Sequence, residues 1–217
     1  IQYGKWRGHP QLPPADYFLT AKLPDINRSV YTFCMCPGGY VIGCSAEEGG
    51  VITNGMSLYR RESAYANSAV LVNVRVEDFK DIVPRPLSGL VFRRHWEKKA
   101  FALAGGNYYA PAQRLVDFLW DREGAIPNPT SFSPGVKPAL LREALPPYAV
   151  DALKRGISEF DRKMKGFITA EAVLIGVETR TSSPVRIVRG PDGQSVSVAG
   201  IYPCGEGSGY RFWVRMC

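Results

Sequence analysis

The period of the apolar residues changes twice along this chain, and the two changes restrict the fold more than any single motif does. Between residues 16 and 76 the pattern is that of β-structure. Residues 16–23 alternate, Ser29-Val30-Tyr31-Thr32-Phe33-Cys34-Met35-Cys36 is rich in β-branched and aromatic residues, and 69–76 reads A-V-L-V-N-V-R-V. From about residue 86 the repeat lengthens to that of a helix. Phe92, Trp96, Lys99 and Leu103 share one face with Ala100 beside them, and Leu153, Ile157, Phe160 and Met164 recur at i, i+4, i+7 and i+11. After residue 171 the pattern returns to β, with Ala172-Val173-Leu174-Ile175-Gly176-Val177 reading as a strand buried on both faces. Strands, then helices, then strands predict an α+β fold with a mostly antiparallel sheet.

The finer expectations follow from turn chemistry. Pro37-Gly38-Gly39 is placed to close a hairpin between 29–36 and 40–45, and Asn54-Gly55 suits either a second hairpin turn or an element facing a ligand. Pro111 in a first-turn position predicts a short helix over 110–120, and successive helices are expected over 138–145 and 147–164, each opened by proline. Gly190-Pro191-Asp192-Gly193 predicts a hairpin joining 185–188 to 195–198. The parts are a β region over 1–85, a helical region over 86–170 and a final β-hairpin segment over 171–217, read together as one compact unit.

Composition bounds the partners. A chain of 217 residues with 45% hydrophobic residues can bury a substantial core, and no apolar run reaches the roughly 20 residues needed to span a bilayer. The formal net charge is +7, but the Lys and Arg residues are scattered, with short clusters such as Arg60-Arg61 and Arg93-Arg94. Scattered charge disfavours nucleic acid, which would require a concentrated basic face, while a diphosphate ligand or an acidic partner would account for the same excess. Five cysteines and two histidines without metal-ligand spacing give no expectation of a metal site, and a reducing cytoplasm fits an odd cysteine set best.

Three stretches carry candidate chemistry. In the last, Ala199 to Tyr210, a β-like run enters Gly205, Gly207 and Gly209, where backbone without Cβ can approach a phosphate and Glu206 can accept from a polyol hydroxyl. The alternative is a tight loop closing a β-structure. Glu178-Thr179-Arg180-Thr181-Ser182-Ser183 sets hydroxyls around a fixed positive charge and suits a phosphate, a flavin pyrimidine edge or a substrate carboxylate, or else forms a polar turn satisfied by itself. Cys36-Pro37-Gly38-Gly39 is either a turn whose backbone approaches a flat ring or an ordinary hairpin turn. Arg114 is placed to bind an anion or to pair with Asp117. No residue is assigned a catalytic role.

The stretch from Pro203 to Tyr210 closely resembles the last cofactor-binding turn of a family of large bacterial FAD-dependent dehydrogenases, of the NAD/FAD-utilising type. The stretches from Tyr31 to Tyr40 and from Gly176 to Arg186 resemble the same family in the same order. The resemblance implies the C-terminal portion of a flavoprotein without its N-terminal FAD-binding unit, whose final β-segment would rejoin a glutathione-reductase-type FAD-binding sheet. It implies FAD as cofactor and an oxidoreductase acting on an unidentified small molecule. Its cofactor contacts would be Gly205, Glu206, Gly207 and Gly209, then Arg180, Ser182 and Ser183, then Cys36, Pro37, Gly38 and Gly39. The starting Ile1 agrees with a fragment of a longer protein. Beyond Tyr210 the family pattern is lost, and bulky Arg211 and Phe212 would crowd a backbone meant to lie against a cofactor. A second reading therefore stands beside the first: a non-enzymatic domain that does not bind FAD alone, with the isolated chain inactive.

Overall fold

The structure, a computed structural model, describes residues 4–6, 9–13, 17–83, 87–126, 129–181 and 186–208. The fold is α+β: the described residues form eight short strands in three small sheets, with three α-helices. The described residues fall into two compact units, one drawn from 1–74 and 95–178 and the other from 75–94 and 179–215.

In the first unit, β1 (Thr20–Leu23), β2 (Arg28–Cys36) and β5 (Asn67–Val72) form one antiparallel sheet with β2 at its centre. Along β2 the inward positions Val30 and Thr32 are buried, as period-two alternation requires. Then the register against β5 slips by one residue between Phe33 and Cys36, and Cys34 takes a left-handed φ of 47°. This bulge bends the end of β2, where Cys36 still pairs with Asn67 of β5. Strand β2 does not pair with β3 (Gly39–Gly43), and the expected hairpin at Pro37-Gly38-Gly39 is instead a connection between sheets. Strand β3 pairs with β4 (Thr53–Ser57), which places Asn54 and Gly55 inside a strand and not at a turn.

Helix α1 (Ser88–Leu103) matches its predicted span closely. The next segment does not match: Ala110–Arg114 is strand β6, followed by the one-turn helix α2 (Leu115–Leu119). Strand β6 pairs in parallel with β7 (Val136–Pro138) and antiparallel with β8 (Val173–Ile175). Pro111 fits there because its missing N–H costs no bond, while its carbonyl accepts from Gly176 N–H at 3.0 Å. The helix expected over 138–145 reduces to a single 3₁₀ turn at Leu141–Glu143. Strand β8 is half-buried and three residues long, not a strand buried on both faces.

Helix α3 (Pro147–Lys163) carries the strongest helical pattern in the sequence and lies where that pattern predicts. Ala152 and Phe160 pack with Ala21, Leu23 and Val30 of the first sheet, while Ile157 packs with Leu115, Phe118 and Leu141. One helix thus separates two apolar clusters. A third cluster joins Val51, Ala100, Ala110, Phe132, Ala144 and Val177.

In the second unit Phe79 and Phe92 meet with ring centroids 6.1 Å apart. The expected hairpin is reduced to one bridge, Arg189 with Ser195, around the turn at 190–194. Residues 196–200 bend instead of extending, and Val188, Val196, Val198, Ile201 and Tyr202 are exposed. Two isolated strands gain too little from each other to form a ladder without a third surface beneath them. Among the described residues no helix is long and apolar enough to cross a membrane, and no group of three or more His, Cys, Asp or Glu could hold a metal ion.

Helix α3 lies close against β2 at Gly156, where an added Cβ would stand 2.5 Å from Val30 Cβ and 2.6 and 2.7 Å from its two methyls. Gly156→Ala is expected to destabilise the fold by about 1–3 kcal/mol, because overpacking outweighs the ~1 kcal/mol helix advantage of alanine. Urea denaturation measures it, and a raised midpoint would refute this account of the contact.

Candidate functional site

The turn at Cys36-Pro37-Gly38-Gly39 is tied down by its own chain. Ser57 Oγ donates to the Pro37 carbonyl at 3.1 Å, and Ser63 Oγ donates to that of Gly39 at 2.7 Å. Gly39 N–H donates to the Tyr65 carbonyl at 2.9 Å and Ser63 N–H to that of Gly38 at 3.2 Å. Gly38 has a φ of 57°, and a Cβ there would lie 1.8 Å from the Arg61 carbonyl oxygen; at Gly39 it would lie 2.5 Å from that of Met56. These two glycines are therefore demanded by the chain's own 56–61 segment. Cys36 is buried, and its thiol donates to the Cys34 carbonyl at 3.3 Å.

The last glycine turn differs. Gly205 has a φ of 71°, and Glu206–Ser208 form a single 3₁₀ turn. Ser208 is fully buried, its Oγ donating to the Gly205 carbonyl at 2.8 Å, and Ile187 N–H donates to the Gly207 carbonyl at 2.7 Å. Yet a Cβ built on Gly205 or Gly207 would meet nothing within 4 Å. The backbone is anchored on one side and open on the other, so these two residues fit a group such as FAD that must approach main-chain atoms closely. Arg180 is half-buried and engaged by its surroundings. Ser182, Ser183 and Gly209 lie outside the described residues, as does the side chain of Glu206.

Within the first unit, strand β4 holds both the residues that lead up to Glu178 and the end of β2. Its Thr53 N–H donates to the Val177 carbonyl at 2.9 Å, and Thr53 Oγ1 donates to that of Ile175 at 3.5 Å. Two residues on, a Cβ at Gly55 would stand 2.1 Å from Asn67 Oδ1 and 3.4 Å from Cys36 Sγ. Positions 53 and 55 of a strand share a face. The end of β8 and the end of β2 are thus both anchored along β4.

Arg114 resolves in favour of its pairing reading. Its Nε lies 2.5 Å from Asp117 Oδ2, with Arg122 Nε 3.8 Å from the other oxygen, and Gly124 leaves the room the pair needs. Gln113 is structural as well, donating to the Arg122 carbonyl and accepting from Leu141 N–H.

Glu178, not among the expected contacts, is the residue the structure adds. It follows Val177, which is buried, and its Oε1 is sealed from solvent without a hydrogen-bond partner. Burial raises its carboxyl from the ordinary 4.5 to about 7. The sequence signal was an acid set directly after six largely apolar residues, 172–177. Asn67 Nδ2 is likewise sealed without a partner, and nothing in the sequence marked it.

The two glycine turns separate in a substitution test. Gly38→Ala should cost roughly 2–4 kcal/mol, from strain at positive φ plus collision with backbone, whereas Gly207→Ala should change stability by no more than about 0.5 kcal/mol. Denaturant midpoints of the two variants decide it. Glu178 predicts a pH effect. Because the folded chain holds this proton up to about pH 7 and the unfolded chain releases it near 4.5, stability should fall as pH rises between those values, by roughly 2–3 kcal/mol, and level off above them. Glu178→Gln should remove that part of the pH dependence in thermal melts; an identical slope in the variant would assign it elsewhere.

The family described as FAD-dependent protein, C-terminal domain-like matches residues 1–181. An uncharacterized protein of Clostridium beijerinckii (strain ATCC 51743 / NCIMB 8052) is 48% identical over 214 residues, an alignment covering 96% of this chain and 39% of that protein. The chain therefore spans well under half the length of that relative. With a family match across most of its length, the chain belongs to the FAD-dependent protein, C-terminal domain-like family.

Proposed function

We propose that this chain is the C-terminal part of an FAD-dependent oxidoreductase and contributes walls that face the flavin and the substrate. The observation that carries the reading is the open backbone at Gly205 and Gly207 within a chain whose family is FAD-dependent. In this reading Gly205 and Gly207 accept the close approach of the cofactor, and the buried Ser208 holds their backbone in place. Arg180, Ser182 and Ser183 supply positive charge and hydroxyls to the same ligand. The turn at Cys36, Pro37, Gly38 and Gly39, held rigid by Ser57 and Ser63, presents only its outer face. Bound FAD would supply the hydride chemistry; the chain's part is to orient the ring and keep water from it.

The remainder of the site belongs to the longer polypeptide. Exposed Ile187, Val188, Val196, Val198, Ile201 and Tyr202 give the second unit an apolar, β-prone surface for docking against that remainder. Such docking would complete the strand pairing that 195–198 lacks here. It also allows the isolated chain to fold without binding FAD.

The test is the visible absorption spectrum of the purified chain with added FAD, alone and after mixing with the separately expressed remainder of the protein. Flavin bands that stay with the protein in either case support the reading, and bands only in the mixture make this chain one wall of a divided site. Loss of all flavin on desalting in both cases would overturn it. Gly207→Val should abolish flavin retention while leaving the thermal melt close to that of the parent, since a Cβ at position 207 meets nothing within 4 Å.

A further inference from the structure

We propose that the carboxylate of Glu178 accepts a hydrogen bond from the imide N–H of a bound flavin ring. The inference rests on the FAD reading above and goes beyond it by giving a role to a residue the glycine turns do not involve.

Position 178 is fixed by what precedes it. Gly176 N–H donates to the Pro111 carbonyl at 3.0 Å, and the Ile175 and Val177 carbonyls both accept from Thr53. Val177 is sealed in the cluster with Val51 and Ala100. The Glu178 side chain therefore leaves a rigid strand end, yet it ends without a partner. Three aspartates of the unit are paired: Asp117 with Arg114 and Arg122, Asp25 with Arg155, and Asp121 with Lys154 and Arg142. Among the described residues Glu178 has no such cation.

Neither protonation state is satisfied from within. An ionised carboxyl needs donors and a neutral one needs an acceptor for its O–H, and the sealed Oε1 finds neither. Its raised proton affinity comes from burial alone. Neither Glu97 on α1, whose backbone carbonyl holds Val51, nor Arg180 two residues along the chain contributes to it. A partner from outside the chain would relieve the cost. A carboxylate is the stronger acceptor of the two forms, and a planar N–H is the donor that suits it. The flavin pyrimidine ring carries one such group.

A donor held by the carboxylate must displace the proton that Glu178 carries below pH 7. FAD affinity of the full-length protein, read by flavin fluorescence, should therefore rise about tenfold between pH 6 and pH 8, most of it below pH 7. Glu178→Gln should bind FAD more weakly at pH 8 and show a flat profile over that range, with circular dichroism confirming its fold. A flavin methylated at the imide nitrogen should bind the parent no better than it binds the variant. Equal FAD affinities and parallel pH profiles in parent and variant would overturn the inference, as would undiminished parent affinity for the methylated ring. Absence of FAD binding by the parent at every pH would instead remove the FAD reading, and this inference with it.

Discussion

Position 156 has no side chain, and the first unit is arranged around the contact this permits. With Val30 of β2 pressed where a Cβ would be, α3 lies on the sheet closely enough for Ala152 and Phe160 to close one apolar cluster. Ile157, on another side of the same helix, closes a second with Leu115, Phe118 and Leu141. A helix that serves two clusters cannot shift to relieve one without opening the other, because close-packed interiors transmit small displacements. The small sheets owe their persistence to this. None exceeds three strands, a size at which strand pairing alone is marginal.

The sequence was most legible where one signal dominated. The stripe of α3 and the β-branched and aromatic run of β2 are strong local signals, and both elements lie where those patterns put them. The errors share a cause. Ala110 to Arg114 was misread because Pro111 suits a helix start, while the buried strand that β7 and β8 impose on it depends on residues far along the chain. Residues 195–198 have the composition of a strand, but β-propensity expresses packing against a neighbour, and no neighbouring strand is present among the described residues. At Pro37 the turn chemistry suits a hairpin, but the end of β2 stays on β5 while β3 pairs with β4, a choice of partners that again depends on residues farther along the chain.

Glycine carried most of the functional expectation, and sequence alone could not separate its two uses. Gly38 and Gly39 look as well suited to a cofactor as Gly205 and Gly207. In three dimensions the first pair is filled by the backbone of Arg61 and Met56, while the second pair faces open space. A missing Cβ is a need for room; which atoms take the room is a property of the fold. The distinction puts the weight of the candidate site on the last turn, and it leaves the Cys36 turn as a rigid support built by hydroxyls of Ser57 and Ser63.

Glu178 inverts the usual relation between burial and stability. At neutral and alkaline pH its ionisation costs on the order of 2–3 kcal/mol, against a net stability of about 5–15 kcal/mol for an ordinary domain. An apolar residue of similar volume would remove that cost, and a Lys or Arg beside it would offset much of it, as Arg114 does for Asp117. Among the described residues neither is present at this position. The expense falls at the end of a strand whose last carbonyls are fixed by Thr53, so the carboxyl cannot swing freely to find a partner. A group held rigid, desolvated and unsatisfied is poised to interact strongly with a ligand that completes it, since little reorganisation is needed when the ligand arrives. The same desolvation that weakens the folded chain would strengthen that contact.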